Sequence, residues 1–220
     1  MKPPNIPIHI FHWGPCVVRF KISEQFHKDL LEQAYISRSS NKDYRSNLAG
    51  HIREEYAMDR KKFEVFFASI FQVYQGAWRS FTGDMKDEPV KYLLKSLWVN
   101  FQKQYEYNPP HDHSEALSFV IYLKIPEALK KENKEYIGTS RGPGSIMFTY
   151  GEGGRKFITY QSHFPEERDI FVFPASLKHH VAPFVSPGER ISVSGNALDS
   201  IPLTEMPKDV KYEVVQTSGK

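Results

Sequence analysis

His111 and His113 stand two residues apart in the run Asn108-Pro109-Pro110-His111-Asp112-His113-Ser114-Glu115. On an extended segment such residues point to the same side, so the two imidazoles face together and Asp112 faces away. Glu115 lies two positions beyond His113 and shares that side. Two pairs of neighbouring ligand-type side chains are therefore available, His111 with His113 or His113 with Glu115. A further histidine, His179, occurs in Phe173-Pro174-Ala175-Ser176-Leu177-Lys178-His179-His180-Val181-Ala182-Pro183, where only one of the two adjacent histidines can face inward on a strand. Glu115 with two histidines would make a 2-His-1-carboxylate set, which leaves open positions on Fe(II) for substrate and oxygen. Taken singly, each of these residues also has a plain reading: histidines hydrogen-bonded at a surface, and a glutamate solvated in a turn.

Eleven residues after His179 comes Arg190, in Glu189-Arg190-Ile191-Ser192-Val193-Ser194. Arg190, Ser192 and Ser194 alternate with Ile191 and Val193, which is the pattern of a strand with one polar face. That face could be a wet outer surface. Turned inward, a guanidinium makes two parallel hydrogen bonds to a carboxylate and keeps its charge, and Ser192 adds a hydroxyl donor. Neighbouring ligands, a distant histidine and an arginine on a strand form the layout of an iron site that also holds a dicarboxylate.

The elements that must carry these residues change in character along the chain. Ser23 reads as the N-cap of a helix to about Ser37, with Phe26, Leu30, Leu31 and Ala34 on one face. Residues 38–52, rich in Ser, Asn, Asp and Arg, read as loop. A longer helix is expected from about Asp59 to Phe81, where Phe63, Phe66, Phe67, Ile70, Phe71, Tyr74, Ala77 and Trp78 recur at three- and four-residue steps. Its aromatic stripe reads as core, because such side chains supply so much buried area. From Val90 the period shortens, and Leu94, Leu97, Val99, Phe101 and Tyr105 suggest a strand. Further strands are expected at Leu117–Ile125, Ser145–Tyr150, Lys156–Phe164, Asp169–Phe173 and Arg190–Ala197, with a short one over His179–Phe184. No helix is expected between them, which argues for antiparallel pairing. The expected class is α+β, mainly β: a double-stranded β-helix (jelly roll, cupin-like) with N-terminal helices packed on one sheet. One domain is expected, with a helical layer over 1–89, a jelly-roll core over 90–200 and a C-terminal extension over 201–220.

Composition excludes several classes. The net charge of +3 over 220 residues gives no signal for nucleic acid. No run of apolar residues is long enough for a membrane span, and prolines 3, 4 and 7 interrupt any leader-like stretch. The single cysteine, Cys16, forms no intrachain disulfide and reads as a small apolar filler, so a reducing, cytoplasmic setting is expected (a host's cytoplasm for a viral protein). A homo-oligomer is compatible with all of this.

From Trp98 to Ala197 the sequence resembles the 2-oxoglutarate/Fe(II)-dependent oxygenase superfamily, in particular members from bacteria and from tailed phages of marine bacteria. The resemblance rests on Asn108-Pro-Pro-His-x-His113, Leu117-Ser-Phe-Val-Ile-Tyr-Leu123, Phe173-Pro-x-x-Leu-x-His179-x-Val-x-Pro183 and Glu189-Arg-Ile-Ser-Val-Ser-Gly-Asn196. Leu48-Ala49-Gly50-His51-Ile52 is similar to the phage members as well. The resemblance implies that His179 is the distal iron ligand, that Arg190 binds the C5 carboxylate of 2-oxoglutarate, and that Tyr122 helps to hold it. Where the superfamily usually has His-x-Asp, this chain has His111-x-His113. The favoured set is therefore His111, His113 and His179, with Glu115 as the alternative third ligand and Ser192 beside Arg190. The implied activity is that of a hydroxylase using Fe(II) and 2-oxoglutarate, which yields succinate and CO2 while oxidising an unidentified substrate, with a protein or peptide side chain slightly favoured.

Two other readings fit the residues. One is a three-histidine cupin-type metalloenzyme that does not use 2-oxoglutarate, in which Arg190 is dispensable. The other is a non-enzymatic β-sandwich used for binding or in a virion, which would hold no iron. Loops 131–144 and 151–156 are candidates for a lid.

Overall fold

The computed structural model describes residues 14–83, 90–151 and 159–199. The N-terminal part runs β1 (Val18–Lys21), α1 (Glu24–Ser39), β2 (Glu55–Ala57) and α2 (Glu64–Thr82). Then follow β3 (Tyr92–Gln102), β4 (Asn108–His111), β5 (Leu117–Lys124), α3 (Glu127–Glu135) and β6 (Ile146–Thr149). The chain continues through β7 (Tyr160–His163), β8 (Asp169–Pro174), β9 (Lys178–Val181) and β10 (Arg190–Asp199).

Both N-terminal helices form where the periodicity places them, for local reasons. The Ser23 hydroxyl accepts the Phe26 N–H at 3.2 Å and caps α1. A 3-10 turn at Arg60–Phe63, capped by Asp59, leads into α2, which ends at Gly83 in the left-handed conformation (φ 71°) that glycine adopts at little cost. Phe67, Ile70, Phe71 and Tyr74 are buried, so the aromatic stripe is core. Phe66, expected on that stripe, is 37% exposed, yet its ring still stacks on Phe26.

Two antiparallel sheets face each other. The larger has the order β1-β8-β5-β10-β3-β2 and the smaller β4-β9-β6-β7. This is the expected double-stranded β-helix. The period of two sorts side chains to opposite faces of the larger sheet. Leu97, Val99 and Phe101 of β3, Ile191 and Val193 of β10, and Phe119 and Ile121 of β5 bury against α1 and α2, where Phe67 lies 4.5 Å from Phe119 between ring centroids. The opposite face turns toward the smaller sheet and is polar along its middle. There Glu55 of β2 pairs in register with Asn100 of β3, Asn100 with Ser192 of β10, and Ser192 with Tyr122 of β5. A buried polar row of this kind is retained where it serves a ligand, since an apolar row would pack with less desolvation.

Two expectations fail here. The first is that no helix interrupts the strands: α3 lies between β5 and β6. Its sequence, Glu-Ala-Leu-Lys-Lys-Glu-Asn-Lys-Glu, is made of good helix formers but buries only Leu129. It therefore carries no apolar periodicity to read. It also takes residues 131–135 out of the expected loop over 131–144. The second is Tyr105, expected on the first strand. It sits beyond the end of β3 in a turn with φ 67° and is 67% exposed. Residues 152–158, which include the start of the strand expected from Lys156 and most of the second lid candidate, lie outside the described residues, as does the extension over 201–220. Cys16 is buried in the helix-side core as a free thiol.

Gly195, in the middle of β10, has no room for a side chain. A Cβ there would run into the Ser96 backbone carbonyl and the Phe119 ring. The register between β10 and β3 shifts immediately afterwards, between Asn196 and Ala197.

Candidate metal and carboxylate site

His111 is the last residue of β4, and it is the cross-strand partner of His179 on β9. The register explains their convergence, because directly opposed residues of an antiparallel pair have closely spaced side chains. Between Asn108 and His111 the register slips, so β4 spans Asn108 to His111 while β9 spans only His179 to Val181. The extra residue falls at Pro109-Pro110. Proline lacks the N–H that a ladder needs and is placed in sheets at bulges and edges, and β4 is an edge strand. His113 follows β4, and its backbone N–H donates to the Ala175 carbonyl at 2.9 Å. That bond ties the segment to the turn between β8 and β9.

One ligand atom from each of His111, His113 and His179 lies within 4.8 Å of the others. Two of the rings are oriented by backbone carbonyls. Nδ1 of His111 is 2.7 Å from the Pro109 oxygen, and Nδ1 of His179 is 2.9 Å from the Leu177 oxygen. A carbonyl only accepts, so each Nδ1 carries the proton and each Nε2 keeps a free lone pair. Phe173 and Phe148 flank His179 at centroid distances of 4.7 and 6.4 Å, and Trp98 stands 6.1 Å from His113.

Burial and the neighbouring imidazoles hold the proton affinity of His113 and His179 down. His179, 8% exposed, is lowered to about 3 by burial first and by His111 next, and His113 is lowered to about 4 by the same two causes. Both rings are therefore neutral far below pH 6, where a solvated imidazole would already be charging. A histidine whose folded pKa is depressed stabilises the fold fully above its unfolded value, near 6.5, and loses that contribution as pH falls toward the folded value. The metal-free protein should thus lose stability between about pH 6.5 and 4. His179→Gln should lose roughly 3 kcal/mol less over that interval. Chemical denaturation of both proteins at pH 7 and pH 4 checks this, and parallel losses would rule it out.

Glu115 and Asp112 are placed elsewhere. The Glu115 carboxylate receives Lys95 Nζ at 2.7 Å, and Asp112 is exposed. His180 is half-buried beside the inward-facing His179.

Arg190, Tyr122 and Ser192 line the same cleft as the three histidines. Arg190 opens β10 and is 2% exposed. Its Nη1 donates to the Gly144 carbonyl at 2.7 Å and its Nη2 to Gln102 Oε1, while Nε has no partner. No carboxylate among the described residues pairs with it. Burial pulls its proton affinity below the ordinary arginine value. The guanidinium lies 5.5 Å from the centroid of the Tyr122 ring, whose buried hydroxyl also lacks a partner and is pushed up to about 12 by burial. That hydroxyl keeps its proton and is a donor. Ser192 Oγ, 3.4 Å from Asn100 Nδ2, completes the group.

A buried guanidinium without a counter-charge is costly unless an anion is supplied from outside. Two unpaired donors, one of them cationic, fit a carboxylate from a ligand. Three converged imidazoles, two of them with Nε2 left free by their backbone contacts, fit a divalent first-row metal.

Residues 96–196, somewhat under half of the chain, match a family model described as "Putative 2OG-Fe(II) oxygenase". Over that stretch the chain is similar to the 2-oxoglutarate/Fe(II)-dependent oxygenases. It is an enzyme whose cofactors are Fe(II) and 2-oxoglutarate. Among solved structures, this oxygenase is similar to a Pseudomonas putida prolyl-4-hydroxylase, at 13% identity and a TM-score of 0.54 over 83% of this chain and 91% of that one. It is also similar to a Trichoplax adhaerens prolyl hydroxylase solved in complex with a hypoxia inducible factor oxygen degradation domain peptide fragment, at 12% identity and a TM-score of 0.50 over 84% of each chain. At such identities the likeness is one of fold. A comparison with curated protein sequences finds no match.

The inward residues Trp98, Asn100, Gln102 and Glu55 were not singled out from the sequence, although all but Gln102 line the cleft and Gln102 holds Arg190. Ser96, Trp98, Asn100 and Gln102 alternate with Leu97, Val99 and Phe101, and that alternation was a readable signal. Glu55 had none, because β2 is only three residues long. No helix of the described residues is long and apolar enough to cross a membrane.

Proposed function

We propose that the oxygenase is a hydroxylase that holds Fe(II) with His111, His113 and His179. Arg190, with Tyr122 and Ser192, grips the far carboxylate of 2-oxoglutarate. The observation that carries this reading is Arg190, buried without an acidic partner in the cleft that also contains the three converged imidazoles.

Each residue has a task that follows from its surroundings. The Pro109 and Leu177 carbonyls fix the tautomers of His111 and His179, so that Nε2 is presented for coordination. Burial keeps His113 and His179 unprotonated at neutral pH. Gln102 and Gly144 hold the guanidinium from one side and leave Nε for the ligand. Ile146, Phe173 and Val181 form the apolar wall that keeps bulk water from the metal ligands. With its cofactors bound, the site supplies oxidation by dioxygen, in which 2-oxoglutarate becomes succinate and CO2, one oxygen atom entering succinate and the other the substrate. A side chain of a protein or peptide is the substrate class we favour, in keeping with the peptide complex of the similarly folded Trichoplax enzyme.

The test is anaerobic addition of Fe(II) and then 2-oxoglutarate to the purified protein. A weak visible charge-transfer band should appear only with both present, and admission of air should release succinate. Tight iron binding with no band would overturn the reading.

A further inference from the structure

The buried polar atoms left without partners in this cleft are of two kinds. Tyr122 Oη and Arg190 Nε can donate, and they suit a carboxylate. Asn100 Oδ1 can only accept, and Glu55 Oε2 accepts once its carboxyl is ionised. The donors lie on β5 and β10, toward the middle of the sheet, and the acceptors on β2 and β3, toward its edge. Glu55 is 1% exposed and Asn100 3%, and both line the cleft with Asn108, His111 and His113. A dicarboxylate satisfies the first pair and cannot satisfy the second.

We propose that Glu55 and Asn100 form the substrate subsite of this oxygenase, and that it receives a cationic N–H donor, the amine or guanidinium of a lysine- or arginine-type side chain. The inference rests on the hydroxylase reading above and names the substrate class for it. A carboxylate oxygen and an amide oxygen, buried together and lacking donors, are complementary to a group that carries several N–H bonds and a positive charge. The surroundings of Glu55 increase that demand. Burial first, and the Glu106 carboxylate next, push its carboxyl up to about 7, with Asp43 adding to the effect and Arg45 opposing it. Glu106 gives Glu55 no hydrogen bond, because its own oxygens accept the backbone N–H groups of Arg53 and Lys103. Arg45 is itself bound to Asp43 at 2.6 Å. An entering cation would supply the partner that the fold withholds.

Gly50 sets the width of this subsite. A Cβ at that position would collide with Asn108 Oδ1 and stand 3.0 Å from Glu55 Oε1. The backbone of the 48–50 segment thus closes one side of the subsite, and a side chain at position 50 would have to push the Asn108 amide and the Glu55 carboxyl aside. Both Gly50 and Glu55 lie outside the stretch that matches the oxygenase family, so this side of the cleft belongs to this chain's N-terminal half.

The experiment uses the full chain with Fe(II) and 2-oxoglutarate under anaerobic conditions. The probes are capped Gly-Gly-X-Gly-Gly peptides with X as Lys, Arg, Met or Glu, together with free lysine and free arginine. Binding is read by calorimetry and by the change that each probe makes in the visible band. The Lys or Arg probe should bind at least about tenfold more tightly than the Met probe, as a charge-assisted pair with a buried carboxylate allows. Glu55→Gln should bring that ratio to within about twofold while leaving the band intact, since a neutral amide loses the charge that selects the cation. Gly50→Ala should block the same probes by filling the subsite, and it serves if Glu55→Gln does not fold. Binding of the free amino acids as tightly as the peptides would identify a metabolite, and binding of the peptides alone a protein substrate. Equal binding of Lys, Met and Glu probes, or a cation preference unchanged in both variants, would overturn the inference. A band missing from the wild type would instead overturn the cofactor assignment, and calorimetry would still decide on the subsite.

Discussion

Arg190→Ala is expected to abolish formation of the 2-oxoglutarate complex while leaving Fe(II) bound. The guanidinium is the one cation inside the cleft among its described lining residues, and it has no acidic partner of its own. Truncating one member of a buried charge pair costs about 2–5 kcal/mol, so 2-oxoglutarate affinity should fall by roughly thirtyfold to several thousandfold. Arg190→Lys separates charge from shape. An ammonium keeps the attraction but lacks the planar fork, so an intermediate loss is expected, on the order of tenfold. Stability should move differently. The alanine loses the hydrogen bonds to Gly144 and Gln102, but it also removes a desolvated charge, and these partly offset one another. Titration of the visible band with 2-oxoglutarate, alongside an iron-binding isotherm, measures both quantities. Wild-type affinity for 2-oxoglutarate in Arg190→Ala would end the carboxylate assignment.

His179→Ala is expected to remove iron rather than the cosubstrate. Structural zinc sites with four ligands are worth about 10–16 kcal/mol, or about 3 kcal/mol per ligand, so Fe(II) affinity should fall on the order of a hundredfold or more. His111→Ala and His113→Ala should follow it. Glu115→Gln is the informative partner, because the sequence leaves a carboxylate triad open while the fold engages Glu115 with Lys95. If the three imidazoles are the ligands, Glu115→Gln keeps wild-type iron affinity. A loss in Glu115→Gln equal to that in His179→Ala would restore the 2-His-1-carboxylate arrangement. Equilibrium dialysis against Fe(II) at fixed pH distinguishes the two.

The parts of this fold that were readable share a physical property: their side chains report a period. α1 and α2 repeat their buried residues every three or four positions, and β5, β8 and β10 send alternate apolar side chains into the helix-side core. His111 and His113 were visible from their type and two-residue spacing, and His179 and Arg190 from ligand-type and cationic residues beside apolar ones. The unreadable parts lack a period. β2 is three residues long, β4 contains two prolines in four residues, and α3 buries one side chain in nine. β1, Val-Arg-Phe-Lys, pairs with β8 at the edge of the larger sheet, where Arg19 binds the buried Asp169 at 2.5 Å. No short-range pattern announces a pairing that joins residues 19 and 169. Glu55 was invisible for a related reason, since a glutamate in a polar stretch reads as solvated until a neighbouring strand covers it.

Pro109 and Pro110 have one more effect. The strand that carries His111 lies at the rim of its sheet, and an exposed rim ordinarily offers a row of backbone donors and acceptors to any passing extended chain. Two successive residues without N–H groups break that row immediately before the histidine, and the bulge there bends what remains. His51 occupies the preceding position by bridging Tyr107. A catalytic cleft must stay open along one margin for its substrate, and such a margin is also where partly folded chains stack into aggregates. In this protein the two prolines of β4 let the cleft remain open to side chains while its rim is a poor template for the growth of a foreign β-sheet.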